Sequence, residues 1–255
     1  IERYHRSNGD RLRYAVTPRF TPTCSAACLR GAREIADDYE AVRIHTHASE
    51  HDSVVEDVTA ERGMGDVEWL HEVGLTGEDV VLAHVILTSE RERDLLAETG
   101  THVAHCPSSN MKVGAGIAPV VDYLDRGINV ALGNDGAPVN NTLDPLAEMR
   151  QAALLQKVAN EDPRVLPAET AFRMATRNGA AAAGFENVGA LRDGWRADVV
   201  GIRTDTSRGV PLHDVYSYLI YAATGEDVRF TMVDGEIVVE DGAVTSVDTE
   251  TVYRR

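Results

Sequence analysis

The sequence predicts an α/β protein built on parallel βα units, on three observations. Short apolar runs alternate with amphipathic helical stretches through the first two-thirds of the chain. Histidines and acids able to bind metal or move protons gather where several of those runs end. Beyond Gly184 the pattern changes to short β runs separated by Asp-Gly turns.

Taken in order, Leu12–Val16 reads as a strand, Ser25–Tyr39 as a helix, Ala41–His45 as a second strand and Val67–Val73 as a helix. Val80–His84 is a third strand of unbroken apolar residues closed by one histidine. Ser89 and Glu92 then make a capping box that opens a helix through Leu96. Thr101–His105 is a fourth strand, followed by a helix near Pro119–Leu124 and a fifth strand at Ile128–Leu132. Helices from Pro145 to Val158 and from Pro167 to Ala183 complete this part. In the tail, Ala197–Ile202, Arg229–Val233 and Glu236–Val239 alternate as strands, with hairpin turns at Asp234-Gly235 and Asp241-Gly242. The expected division is an α/β body over 1–184 and a small β layer over 185–255.

At 255 residues and 27.7 kDa the chain suits one large or two modest domains. Hydrophobic residues at 43% and charged residues at 26% exclude general disorder. No apolar run approaches the roughly 18 residues of a membrane span, and Ile1–Asp10 has no apolar signal region, so a cytoplasmic, soluble protein is expected. Lys+Arg 25 against Asp+Glu 41 gives a net charge of −16, which argues against a nucleic-acid partner. Lys112 and Lys157 are the sole lysines. Acid excess with so little lysine suggests a surface adapted to high salt; an arginine-favouring genome is the blander alternative and leaves the acids unexplained. Cys24, Cys28 and Cys106 are an odd count, read as small buried thiols ahead of a disulfide or a zinc knuckle.

Three strand ends concentrate chemistry: Arg43-Ile44-His45-Thr46-His47-Ala48-Ser49-Glu50, Val80–His84, and Asn129–Leu132 leading to Gly133-Asn134-Asp135-Gly136. Alternation places His45 and His47 on one face of a strand, with Glu50 just past its end. His84 alone would read as a hydrogen-bonded structural residue, and Asp135 before glycine as a turn acid. Their conjunction reads differently. Parallel barrels place active sites at the C-terminal strand ends, where imidazole and carboxylate suit a zinc-like ion with a nearby acid free for proton transfer.

These segments resemble the amidohydrolase superfamily, in its branch of purine and triazine aminohydrolases. The resemblance rests on His47-Ala48-Ser49-Glu50, Ala83-His84, His105-Cys106-Pro107-Ser108-Ser109-Asn110 and Leu132-Gly133-Asn134-Asp135-Gly136-Ala137. Asn140–Asp144 with Glu148-Met149-Arg150 looks like the deaminases of 5'-deoxyadenosine, methylthioadenosine and S-adenosylhomocysteine. Thr17-Pro18-Arg19-Phe20 is similar to guanine deaminase, although relatives of the deoxyadenosine enzyme share much the same run. Gly189-Ala190-Leu191 and Gly194–Val200 match the family's return to its β-sandwich.

The resemblance implies a (β/α)8 TIM-type barrel, incomplete here at about strands four to eight, with a C-terminal segment of a small β-sandwich. In the family a His-x-His pair on the first strand, a His on the fifth and an Asp on the eighth hold the metal. The interval from His47 to Asp135 is 88 residues, room for three further strands at roughly 30 residues per βαβ unit but not seven. His47 is therefore expected to be the fifth-strand ligand, His84 the sixth-strand histidine and Asp135 the eighth-strand acid; His45 has no assigned role. The first-strand pair is absent, so the chain reads as the C-terminal part of a longer protein, and Val252–Arg255 also looks cut.

By the same resemblance one divalent ion is expected, zinc with iron as the alternative, on His47 and Asp135. Asp135 takes a proton from water, Glu50 protonates the ring nitrogen and His84 stabilises the attacking oxygen. Arg19, Phe20 and Asn141 are the candidate contacts to a purine or related N-heterocycle; Asn110 is either a loop anchor or a further contact. The leading expectation is a hydrolytic deaminase of a purine base or 5'-modified adenosine. Guanine deaminase and a chlorotriazine-type hydrolase are alternatives, and a catalytically inactive segment is the alternative of another class. Neither a membrane nor a nucleic acid is expected as a partner, and a homo-oligomer is allowed.

A net charge of −16 makes the folded state self-repelling in dilute buffer, so the thermal midpoint should rise as salt screens it. Melts across a salt series check this; a flat or falling midpoint up to molar salt contradicts it.

Overall fold

The computed structural model describes residues 1–254; Arg255, the last residue of the expected tail, lies outside the described residues. Five strands form one parallel sheet in the order β1 (Ala15–Val16), β2 (Arg43–Ala48), β3 (Val80–His84), β4 (His102–His105) and β5 (Val130–Leu132). Register sets His45 beside Val81, His47 beside Ala83 and Ala48 beside His84, while His105 stands beside Leu132. Among the described residues β1 and β5 each keep one edge unpaired, so the sheet is an open arc.

The two faces of the sheet differ sharply in side-chain size. Ile44, Val80, Leu82, Val103 and Val130 point into the main core, where they meet Leu29, Leu70, Leu96 and Tyr123 from the covering helices. Successive strand residues point to opposite sides. The other face therefore carries Val81, Ala83, Ala104 and Ala131, a thin cluster joined by Ala182. Beside it lies a cavity of about 540 Å³ lined by Arg43, His45, Val81, Ala104, Ala131 and Gly133, among others.

Local sequence explains most helix limits. The Ser89 hydroxyl accepts the Glu92 N–H at 3.2 Å and the Glu92 carboxylate accepts the Ser89 N–H at 2.8 Å. That box opens Glu90–Thr99, which ends at Gly100 with φ 69°. Ser25 caps Ala26–Asp37 by a single bond, its hydroxyl accepting the Cys28 N–H at 3.2 Å. After β3 the chain is pinned by Tyr123, fully buried, whose hydroxyl donates to the Val85 carbonyl at 2.7 Å and meets Thr88 Oγ1 at 2.8 Å.

Several expectations need correction. The strand expected at Ala41–His45 runs instead from Arg43 to Ala48, because Ala41 has φ 62° and cannot extend the ladder. The strand expected from Leu12 shortens to two residues. Pro167–Ala183 is not one helix but two, Ala168–Ala175 and Arg177–Ala182, broken at Thr176 (φ −117°, ψ −90°). Gly189 lies against that break so closely that a Cβ on it would meet Arg177 Cα at 2.9 Å. The thiols are not uniformly buried: Cys106 is, Cys24 is half-buried and Cys28 is exposed, and all three are free. Leu29, Ala32 and Ala36 take the buried face of the helix that carries Cys28. The helices Asp52–Arg62, Pro107–Val113 and Val215–Tyr221 were not expected.

Beyond Gly184 an antiparallel sheet runs β6 (Val199–Ile202), β7 (Val228–Val233), β8 (Glu236–Glu240) and β9 (Ala243–Val244). Both Asp-Gly pairs turn through the left-handed region, at φ 52° and 84° for Asp234-Gly235 and 48° and 79° for Asp241-Gly242. Among the described residues no helix is long and apolar enough to cross a membrane.

Candidate active site at the strand ends

His47 leaves β2 with its ring orientation fixed by one carbonyl. Arg19 O accepts from Thr46 Oγ1 at 3.0 Å, from His47 N–H at 3.2 Å and from His47 Nδ1 at 2.7 Å. A carbonyl only accepts, so Nδ1 carries the proton and Nε2 keeps its lone pair, the tautomer an imidazole ligand needs. The same peptide presents the Arg19 and Phe20 side chains. Arg19 lies 4.9 Å above the Phe20 ring, and Phe20 lies 6.2 Å from the His47 ring. Arg19 is thus stacked on an aromatic face, where it remains a five-donor fork.

His84 closes β3 at φ 71° and is 1% exposed. Its ring stacks on His47 with centroids 5.4 Å apart and planes 22° from parallel. Nδ1 meets Asn110 Oδ1 at 2.8 Å, while Nε2 stands 3.8 Å from Glu50 Oε1 and 3.9 Å from Asp135 Oδ2. One imidazole nitrogen therefore faces two carboxylates. Both acids leave their strands through left-handed residues: Ser49 (φ 47°) precedes Glu50, and Asp135 itself has φ 59°.

Asp135 is braced by Ser109 Oγ, which donates to Oδ2 at 2.6 Å, and by the Gly136 N–H, which donates to Oδ1 at 2.5 Å. Burial opposes its ionisation, but these two bonds and the nearby His84 and His47 outweigh it and hold the carboxyl below the usual carboxylate range. Consecutive residues of the helix Pro107–Val113, Ser109 and Asn110, thus hold Asp135 and His84.

The structure brings together Arg19, Phe20, His47, Glu50, His84 and Asp135. It leaves Asn141 apart, exposed, with its Oδ1 accepting from Lys112. His45, one step down the same face as His47 and open to the cavity, is lowered below the usual histidine range first by partial desolvation and then by the His47 and His84 imidazoles. Burial also pushes the Cys106 thiol up to about 12, with Asp135, Glu148 and Glu50 adding to it, which makes the thiol inert.

Residues 1–238 match the amidohydrolase family. The chain belongs to that family. It is 41% identical over 252 residues to 5'-deoxyadenosine deaminase of Methanothermobacter thermautotrophicus, a match covering 99% of this chain and 58% of that protein. It is 40% identical over 239 residues to 5-methylthioadenosine/S-adenosylhomocysteine deaminase of Thermococcus kodakarensis, covering 94% and 56%. An adenosine deaminase from Xanthomonas campestris, solved with bound zinc, superposes at a TM-score of 0.94 with 32% identity, covering 98% of this chain and 57% of that one. This amidohydrolase chain therefore has the TIM-type barrel architecture of its family, in five parallel strands, and spans a little over half the length of the relatives it matches.

The donor chemistry suits a divalent cation: an imidazole with Nε2 free and an ionised, braced carboxylate. Two donors are fewer than the three protein ligands of a catalytic zinc site. Among the described residues of the amidohydrolase chain, no group of three or more His, Cys, Asp and Glu side chains could hold a metal ion.

His105, one residue before Cys106, is fully buried, and neither ring nitrogen has a hydrogen-bond partner among the described residues. Burial, then the His84 charge, lowers it from 6.5 to about 3. The unfolded chain takes up a proton below about 6.5 that the folded chain refuses, so stability is intact above that pH and is lost as pH falls toward 3. Urea unfolding at several pH values between 7 and 4 should show this slope, and His105→Leu should flatten it. An unchanged slope contradicts the assignment.

Proposed function

We propose that the whole protein is a metal-dependent hydrolytic deaminase of a purine base or a 5'-modified adenosine. The observation that carries this reading is the meeting of Glu50 and Asp135 at His84 Nε2, 3.8 and 3.9 Å away, beside the His47 ring. The relatives named as deaminases of 5'-deoxyadenosine and of methylthioadenosine support it.

The ion, zinc or iron, would be held by His47 and Asp135 with further ligands from a first-strand His-x-His of the full-length protein. When bound it lowers the pKa of water toward about 7. Water replaces the exocyclic amine at an aromatic carbon: a C–O bond forms, the C–N bond breaks, and ammonia leaves. Asp135, held ionised by Ser109 and Gly136, takes the proton of the attacking water and passes it to the departing amine. Glu50 gives a proton to the ring nitrogen beside the attacked carbon, so negative charge does not accumulate there, and the proton left on the new hydroxyl returns to the enzyme as that oxygen becomes the carbonyl, restoring the Glu50 acid. In its doubly protonated form His84 donates from Nε2 to the oxygen that becomes tetrahedral, while its Nδ1 donates to the Asn110 Oδ1 that holds the ring from behind. Phe20 offers a flat face to a heterocycle and Arg19 a fork for a ring nitrogen or carbonyl. The substrate is a small molecule, and the enzyme works in the cytoplasm.

Glu50→Gln and His47→Ala in the full-length, zinc-loaded protein separate proton transfer from metal binding. Glu50→Gln should keep zinc content and lower turnover by about 10²–10⁴-fold, the usual contribution of a positioned general acid. His47→Ala should lose zinc as well as rate. Near-normal deamination by Glu50→Gln would make Glu50 structural and the mechanism wrong.

A further inference from the structure

Asp66 is a fully buried acid that the chemistry above does not use. It opens the helix Asp66–Glu72, where an acid is ordinary and favoured by the helix dipole. Its contacts lie elsewhere. Oδ1 accepts the Thr21 hydroxyl at 2.6 Å, and Oδ2 accepts the Ser49 backbone N–H at 2.7 Å. Thr21 directly follows Arg19 and Phe20, and Ser49 lies between His47 and Glu50. One carboxylate thus ties together the two segments that carry four of the six gathered residues.

Ser49 is the backbone position that needs such a tie. It is fully buried, it is not glycine, and it sits at φ 47°. Holding a residue there costs roughly 1–3 kcal/mol and persists only where surrounding bonds over-determine it. Here the Ser49 N–H goes to Asp66, and its carbonyl accepts from Ile86 N–H at 2.9 Å and Leu87 N–H at 3.1 Å. The left-handed turn is what lifts Glu50 out of the β2 direction and toward His84.

A buried carboxylate is a poor way to stabilise a fold, because an apolar side chain of similar volume avoids the desolvation penalty. Burial raises the Asp66 pKa, the Thr21 and Ser49 bonds work against it, and Glu92 raises it further. Glu92 is itself 3% exposed and accepts the Val67 N–H at 2.9 Å, so two acids share this small region. What Asp66 supplies that an apolar residue could not is a pair of acceptors spanning two loops.

We propose that Asp66 is a positioning residue: by holding Ser49 in its left-handed turn it aims Glu50, and through Thr21 it locks the Arg19–Phe20 wall to the same frame. The inference rests on Glu50 as proton donor. Its test is a double-mutant cycle in the full-length, zinc-loaded protein. Asp66→Ala should lower kcat by about 10–100-fold, the scale of an ångström-sized misplacement, with zinc content unchanged. Asp66→Asn should restore kcat to within about tenfold, since its oxygen can accept from Ser49 N–H while its amide donates to the Thr21 hydroxyl. In a Glu50→Gln background the alanine change should add less than about threefold to the kcat loss, because the group it aims is gone, while a rise in KM from the loosened Arg19–Phe20 wall remains. If Asp66→Ala does not fold, Asp66→Leu, which fills the space without an acceptor, takes its place with the same expected results. Losses that multiply in the double variant, or an asparagine variant as impaired as alanine, overturn the proposal. Normal turnover by Glu50→Gln alone overturns the functional reading instead, so the two failures are distinguishable.

Discussion

Parallel strands must release the chain at their C-terminal ends, and here the release is made through left-handed backbone at residues that are not glycine. Ser49 after β2, His84 at the end of β3 and Asp135 after β5 have φ of 47°, 71° and 59°. Each is costly alone, so each is held by neighbours: Ser49 by Asp66 and by Ile86 and Leu87, His84 by Asn110, and Asp135 by Ser109 and its own bond to Gly136. Because of these turns, side chains that would otherwise follow the strand alternation converge on one point. The backbone strain and the site are the same feature.

The helical side of the sheet gives this arrangement its rigidity. Large apolar side chains of β2 to β5 fill the core, and Tyr123 reaches up from it to pin the chain just beyond His84. The opposite face is lined by valine and alanine and leaves a cavity beneath the site. Histidines at 45 and 47 stand on that small-residue face; His45, exposed to the cavity, is lowered below the usual histidine range by partial desolvation and by the His47 and His84 imidazoles. His47 differs in that its Nδ1–H donates to the Arg19 carbonyl, which leaves the other nitrogen available.

The order of elements through β5 was legible because each strand is an apolar run bounded by turn residues. Ser89 and Glu92 announced their helix by a contact three residues apart, which a linear reading can see. The break at Thr176 falls where weak helix formers, Thr176, Asn178 and Gly179, cluster, and Gly189 of a later loop packs against it, a contact that a linear reading does not see. Asp52–Arg62 was missed because it buries only Val58 and so has no apolar stripe. At the site, His47, Glu50, His84 and Asp135 were readable as strand-end residues with a family pattern, whereas Asp66 reads as an ordinary helix-opening acid. Its partners are 45 and 17 residues away, and only the fold brings them to it.

The acidic surface follows its own logic. Arg126 gathers Glu90, Asp94 and Asp122 at 2.6, 2.5 and 3.0 Å, a geometry that guanidinium satisfies and ammonium does not. Such pairs are worth little singly and leave most of the excess acids facing solvent. The central claim concerns the strand ends, and ammonia release tests it most directly. The intact, zinc-loaded protein, incubated with guanine, adenosine and 5'-modified adenosines, should release one ammonia for each molecule of at least one of them consumed. Stoichiometric zinc with no ammonia from any aminopurine would contradict the account.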